Sequence, residues 1–303
     1  MGNHHHHQHQ HGAGTDSAAE TDWAAMAELL DLDGEVLHSF LAEITGWVRD
    51  LAADLPCRRI LDLGAGTGTG AIALLQRFEE ADVIALDKSG QLLDRLRDKA
   101  RDLGLAGRVR TEQADLETAW PAIGTVDLAW ASMSLHHMAD PDRVLAEVFG
   151  AIRPGGLLAV AEMGAFPRFL PDDLGFGRPG LEARCHATLA EGLASELPHL
   201  GSDWGQPLRQ AGFTIEAERP FAVELRPPLP ASAGRYAQLS LQRIRSGLDG
   251  RISADDLAAL DTLIDSDGPD GVRRRGDLSV RASKVVWVAR RPAAKRPAAV
   301  RAT

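Results

Sequence analysis

Apolar residues along the chain fall into two alternating kinds of run. Short continuous runs that end in an acid, a glycine or a hydroxyl residue have the length of buried parallel strands. They occupy Ile60–Leu63, Val83–Asp87, Val109–Leu116, Val126–Ser132 and Leu157–Glu162. Between them, apolar residues recur at helical spacing: Ala71 to Leu75, then Leu92, Leu93 and Leu96 towards Leu103, then Asp142 to Ile152 behind the opening pair Asp140-Pro141. Ahead of the first strand, Trp23, Met26, Leu29 and Leu30 form one amphipathic set, and Val36, Leu37, Phe40, Leu41, Ile44, Trp47, Val48 and Leu51 form another. Two helices are predicted there, broken near Asp31–Gly34. Beyond Met163 the rhythm loosens. Phe166–Pro171 and Gly175–Gly180 read as loops, Leu181–Leu197 as a helix, and a short helix is expected around Pro207–Ala211. Phe213–Leu225 reads as a sixth strand. Tyr236, Leu239, Leu241, Ile244 and Leu248 mark one further helix, and Leu257 to Ile264, capped by Ser253, another. The final strand is expected at Lys284–Ala289.

Composition narrows the class. The 303 residues are enough for a core domain with a lid, and 44% hydrophobic with 25% charged content is ordinary for a globular protein. No run approaches the roughly 18 apolar residues of a membrane span, and the amino terminus has no apolar signal region, so a cytoplasmic location is expected. Cys57 and Cys185 cannot make a disulfide framework and are read as reduced thiols. A formal net charge of −10 argues against a phosphate-binding surface, hence against a nucleic-acid substrate. The His-rich stretch up to about Gly14 is read either as a floppy terminus or as a metal-scavenging tail. No metal is expected in the core.

The chemistry concentrates where Ile60-Leu61-Asp62-Leu63 empties into Gly64-Ala65-Gly66-Thr67-Gly68-Thr69-Gly70 and resumes as a helix. Glycines let a ligand touch backbone there, and the helix presents free N–H groups to whatever sits over the turn. The dinucleotide fingerprint G-x-G-x-x-G would need glycine at position 69, which is Thr69. Asp87 ends the second strand, where a carboxylate can accept both hydroxyls of a ribose lying across the first turn. The pattern acid-x-Gly-x-Gly-x-Gly, starting at Asp62, resembles motif I of the class I S-adenosylmethionine (SAM) dependent methyltransferases. Asp87, Asp115, the His-bearing fourth strand and the turn Arg153-Pro154-Gly155-Gly156 follow in the family's order over about residues 57–162. The resemblance implies an α/β fold, a Rossmann-like seven-stranded, mainly parallel sheet with helices on both faces and an α-helical lid. It implies SAM as cofactor, held by Asp62, Gly64, Ala65, Gly66, Gly68, Asp87, Lys88, Asp115, Leu116 and Ser132. Asp115 would accept from the adenine amino group, with Leu116 against the ring.

The fourth strand delivers Ser132-Met133-Ser134-Leu135-His136-His137. In the resembled family this end faces donor and acceptor together. The Asn/Asp-Pro-Pro-Tyr/Phe sequence of amino-methylating enzymes is missing, which disfavours methylation of DNA bases or amides. Histidine can take a proton near neutral pH, so His136 or His137 is a candidate base, alongside a structural role. Glu162 is read as a rim salt bridge or a catalytic acid. The expected layout is a tail (1–20), lid helices (21–55), a SAM-binding core (56–162), a lid insertion (163–203), more core (204–228), a helical lid insertion (229–277), the last strand (278–290) and a basic tail (291–303). Insertions of that kind over strand ends set specificity in open α/β folds. Arg273-Arg274-Arg275 could meet an anionic substrate group or lie in a solvated loop. The expected activity is methylation of a small organic acceptor in specialised metabolism, oxygen ahead of carbon. Rival readings are a SAM-bound enzyme performing a cyclisation, an NAD-dependent oxidoreductase and a noncatalytic SAM-binding module.

Overall fold

The computed structural model describes residues 15–265 and 268–293, with the backbone alone for 15–22. The His-rich segment and most of the basic tail fall outside the described residues. Seven strands form one sheet: β1 (Arg59–Leu63), β2 (Asp82–Asp87), β3 (Val109–Gln113), β4 (Val126–Ser132), β5 (Ile152–Arg168), β6 (Thr214–Leu225) and β7 (Val280–Arg290). Their order is β3-β2-β1-β4-β5-β7-β6, with β7 antiparallel to both neighbours and the first five strands parallel. This is the Rossmann-like arrangement expected. The chain reverses its direction of travel across the sheet between β1 and β4, so a crevice opens beyond their carboxyl ends.

Each face of the sheet carries its own core. On one, Ile60, Leu128, Trp130, Leu157, Ala159 and Val288 pack under α2 (His38–Leu51), α3 (Thr69–Arg77) and α4 (Gly90–Asp102). On the other, Leu61, Leu63, Leu158, Val160 and Trp287 pack under α5 (Pro141–Ala151) and α7 (Gly205–Gln210). The first core continues without a break into α6 (Leu181–Glu196), α8 (Ala233–Ser246) and α9 (Ala254–Ile264), through Cys185, Tyr236, Leu241, Leu260 and Leu263. Cys57 and Cys185 are buried free thiols, pushed up by burial to about 12 and about 11.

Three local expectations are corrected. The amino-terminal helices α1 (Thr15–Val36) and α2 break at Leu37, not at Asp31–Gly34. Gly34 is a close-approach residue inside α1, since a Cβ there would lie 2.5 Å from Thr69 Cγ2. The stretch Met163–Arg168, which includes Phe166 and Pro167, extends β5 instead of looping, because β7 pairs with it as far as Arg168↔Arg281. Arg153–Gly156 lies within β5 as an irregularity. The register jumps there from Val126↔Ile152 to Leu128↔Leu157.

Candidate active site at the glycine turn

The turn from β1 into α3 is closed by Gly68 N donating to Ala65 O at 2.9 Å and tied to β2 by Ala65 N donating to Leu86 O at 2.9 Å. Gly64 has φ 68°, and a Cβ there would sit 2.6 Å from that of Ser134. Only glycine serves both conditions, and the turn is thereby pressed against the end of β4. Asp87 stands beside it. Its Oδ2 accepts from Gly66 N and its Oδ1 from Ser89 N, both at 2.8 Å. A carboxylate has about four lone-pair sites, so two remain for further donors. Ser89 Oγ accepts from Leu92 N and caps α4, while Lys88 is exposed.

Asp62 lies elsewhere than its neighbours in the motif. It is 2% exposed, beneath the turn, where the Ala71 amide meets its carboxylate and Oδ2 has no partner. Burial, and then the charge of Asp87, raise it to about 7. Asp115 is exposed past β3 with Oδ1 accepting from Glu117 N at 3.0 Å, and Leu116 behind it is buried.

At the end of β4, Ser132 Oγ accepts from Lys284 Nζ at 3.2 Å. Met133 follows at φ 56°, a left-handed backbone that a methionine seldom adopts. It turns the chain into the 3-10 turn Leu135–His137. His136 is buried, and its Nδ1 lies 2.5 Å from Glu162 Oε2. The other oxygen of Glu162 accepts from Ser134 N at 3.2 Å and Leu135 N at 2.9 Å. Glu162 is therefore no rim group: it is 2% exposed and organises the turn from within. His137 is exposed and its ring centre lies 4.1 Å from that of His136. Partial desolvation of its imidazole, with the charge of His136 adding to the effect, lowers it to about 4.

Helix α1 crosses above the turn. Asp31 pairs with Lys99 and with Arg95 (2.6 Å) of α4, and Lys99 Nζ also donates to Thr67 Oγ1 at 3.1 Å. On its other flank α1 meets α8, with Tyr236 Oη donating to Asp33 at 2.5 Å and Arg235 to Glu28 at 2.8 Å. Met26 accepts at sulfur from Arg243 at 3.3 Å, and Trp23 is half-buried. Arg275 is bound to Asp277 and to Leu174 O, so the basic run at 273–275 is partly structural. A wide cavity of about 520 Å³ lies off the site, between the start of α5 and α7.

A methyltransferase domain family matches residues 60–156. The chain is 31% identical over 235 residues to 27-O-demethylrifamycin SV methyltransferase of Amycolatopsis mediterranei, covering 73% of this chain and 82% of that protein. The chain belongs to the class I SAM-dependent methyltransferases. This methyltransferase is also 39% identical to malonyl-acyl-carrier protein O-methyltransferase of Laribacter hongkongensis, over 38% of its own length and 40% of that relative. Among solved structures, the BH2331 protein of Bacillus halodurans C-125 has the same fold, with a TM-score of 0.51 at 20% identity, covering 80% of this chain and 97% of that one. The family implies SAM as methyl donor.

The turn, Asp87, Ser132 and the two histidines gather within one crevice of the methyltransferase. Lys284 was not among the residues expected there, nor were the bridges of Asp31. Lys284 sits in the antiparallel strand read only as sheet, and 152 positions separate it from Ser132. Asp31 and Arg95 are 64 positions apart, and no local pattern announces their bridge.

Proposed function

We propose that this chain binds SAM across the glycine turn and transfers its methyl group to an oxygen of a small organic acceptor in specialised metabolism. The observation that carries the reading is Asp87: two of its lone-pair directions hold Gly66 N and Ser89 N, and two remain for the hydroxyls of a ribose at the glycine turn. When bound, SAM supplies an electrophilic methyl on a sulfonium. The chain's own part is positioning. Gly64 to Gly68 let the donor lie on backbone, Asp87 takes the ribose hydroxyls, Asp115 and Leu116 take the adenine edge and face, and Lys88 flanks the nucleoside. Asp62 acts from below through the Ala71 amide. Ser132 and the turn ending at His137 border the methyl, and α1, α6, α8 and α9 form the lid. Holding an acceptor in line with the methyl can lower the barrier by roughly 7–11 kcal/mol in the best-oriented cases.

His136 is read as a positioning residue, because it is 4% exposed and Glu162 fixes its ring through Nδ1 within the turn. His137, neutral at pH 7 and exposed, is held at about 4 and is therefore a weak base, which suits an acceptor oxygen that arrives already ionised. Oxygen is favoured by the name of the relative that covers most of this chain, an enzyme acting on an O-demethyl compound.

Titration with S-adenosylhomocysteine by calorimetry tests the donor site. Wild type is expected to bind it and to ignore NAD, and Asp87→Ala to lose at least about tenfold in affinity. NAD binding, or full binding by the variant, would sink the assignment. A methyl found on carbon, nitrogen or sulfur of the product would sink the oxygen reading alone.

A further inference from the structure

At the carboxyl end of β4, the adjoining stretches of β5, β7 and β6 set side chains in rows across one face of the sheet. Ser132, Ala161 and Val286 form one row, and Met163, Lys284 and Phe221 form the next one outward. Lys284 is half-buried, with a half-buried thioether on one side and a buried phenyl on the other. The Phe221 ring is itself walled by Trp47 of α2, edge-on at 5.4 Å between ring centres. From that row the ammonium reaches back across Ala161 to Ser132 Oγ at 3.2 Å. Among the described residues no carboxylate pairs with it. Glu162 is adjacent in sequence to Met163, but it projects from the other face of the sheet and is occupied by His136 and two amides.

A half-withdrawn ammonium whose partner is one neutral hydroxyl lacks the charged partner that such groups ordinarily have. Three donors on a flexible stem leave at least two to offer. The place is the end of β4, next to the strained Met133, where the donor methyl and the acceptor meet in the function proposed above. We propose that Lys284, steadied by Ser132, is the anion-binding group of the acceptor subsite, and that the acceptor is a small molecule presenting an ionised oxygen, a carboxylate or a phenolate, on an apolar body. This rests on the SAM-dependent reading. The apolar body would lie against the half-buried Trp47 and Met163, with Phe221 buried behind them. The oxyanion held at Lys284 attacks the methyl carbon, the O–C bond forms as the C–S bond breaks, and the electron pair of that bond stays on sulfur. The acceptor has lost its proton to solvent beforehand, so no base is consumed in the step.

The test begins with the wild type, Lys284→Met and Lys284→Arg, each titrated with S-adenosylhomocysteine. All three are expected to bind it within about twofold of one another, and failure of the wild type to bind overturns the SAM reading instead of this one. Each is then given SAM with a panel of aromatic and aliphatic carboxylic acids and phenols, beside neutral alcohols of the same carbon skeletons, with release of S-adenosylhomocysteine as the readout. Turnover of at least one ionised member and of no neutral counterpart is expected. Lys284→Met should raise its KM about ten- to hundredfold, and Lys284→Arg should restore most of that loss. Comparing the carboxylate and phenol arms tells which oxyanion is taken. Equal use of the neutral compounds, an unchanged KM in Lys284→Met, or no turnover of any ionised member by a wild type that binds S-adenosylhomocysteine would each overturn the proposal.

Discussion

At the scale of single residues, buried ionisable groups decide more than exposed ones. Glu162 accepts three hydrogen bonds from one turn, two of them from backbone amides that have no water to fall back on. Glu162→Ala should therefore cost about 3 kcal/mol or more in urea unfolding, with Glu162→Gln recovering part of it. A loss below about 1 kcal/mol would mean that the turn is held by other contacts. His186 gives a pH signature. It is 5% exposed, its Nδ1 has no partner, and the Phe166 ring lies 5.4 Å away. Burial, and then the charge of Arg168, lower it to about 4. An unfolded imidazole titrates near 6.5, so below that pH the unfolded chain takes a proton that the folded chain refuses. The stability is present in full above about pH 6.5 and is lost as pH falls towards 4, by up to about 3 kcal/mol. Asp62 works in the opposite sense. Its carboxyl, raised to about 7, binds a proton in the folded state through a window in which the unfolded group, titrating near 3.9, does not. Comparing wild type with His186→Leu between pH 7 and 4 isolates the imidazole: the variant should lose about 2–3 kcal/mol less over that range. Parallel curves would remove His186 from the account.

At the scale of elements, α1 works as a strap, with Asp31 fastened to α4 and Glu28 and Asp33 fastened to α8 across the glycine turn. The Tyr236 hydroxyl is buried and bound to a carboxylate, so Tyr236→Phe should cost about 1.5–3 kcal/mol. It should also speed release of S-adenosylhomocysteine severalfold in stopped-flow measurements. Unchanged release with lowered stability would separate the strap from the donor site. A second fastening joins α9 to α6 and the loop before it. Asp256 on α9 meets Arg184 at 2.7 Å and Arg178 at 2.5 Å, and their guanidinium groups, the Arg184 hydrogen bond foremost, hold its carboxyl well below the usual range. The strands, the helix-capping Ser253 and the glycine turn were legible in sequence because periodicity and turn chemistry are local. The break in α1 was misplaced because Gly34 is a glycine for close packing against Thr69, which looks like a helix stop until its neighbour is known. The end of β5 was misread because Pro167 and Gly164 discourage strand in isolation, whereas pairing with β7 overrides them. Glu162 and His136 are 26 residues apart, and nothing in either local sequence announces the other.

At the scale of the molecule, the helices proposed as a lid, and α2 with them, have no core of their own. Phe40, Ile44 and Val48 of α2, Tyr236 and Leu241 of α8, and Leu260 and Leu263 of α9 belong to one buried cluster with the sheet residues Ile60, Trp130 and Val288. Helices packed that way cannot unfold at low cost while the sheet persists, because their departure would strip one face of β4, β5 and β7. The regions of α8 and β4 should accordingly exchange their slowest amide hydrogens with the same opening free energy, followed by mass analysis of peptides from each. Binding of S-adenosylhomocysteine at a hundred times its Kd should add about 2.7 kcal/mol to both values together, since a ligand of the folded state stabilises every element that must stay folded to hold it. If α8 exchanged by a cheaper opening than β4, and ligand slowed only that opening, the helices would be a separately unfolding gate over the crevice. Donor access would then be governed by that local equilibrium, not by the rigid shape of the crevice.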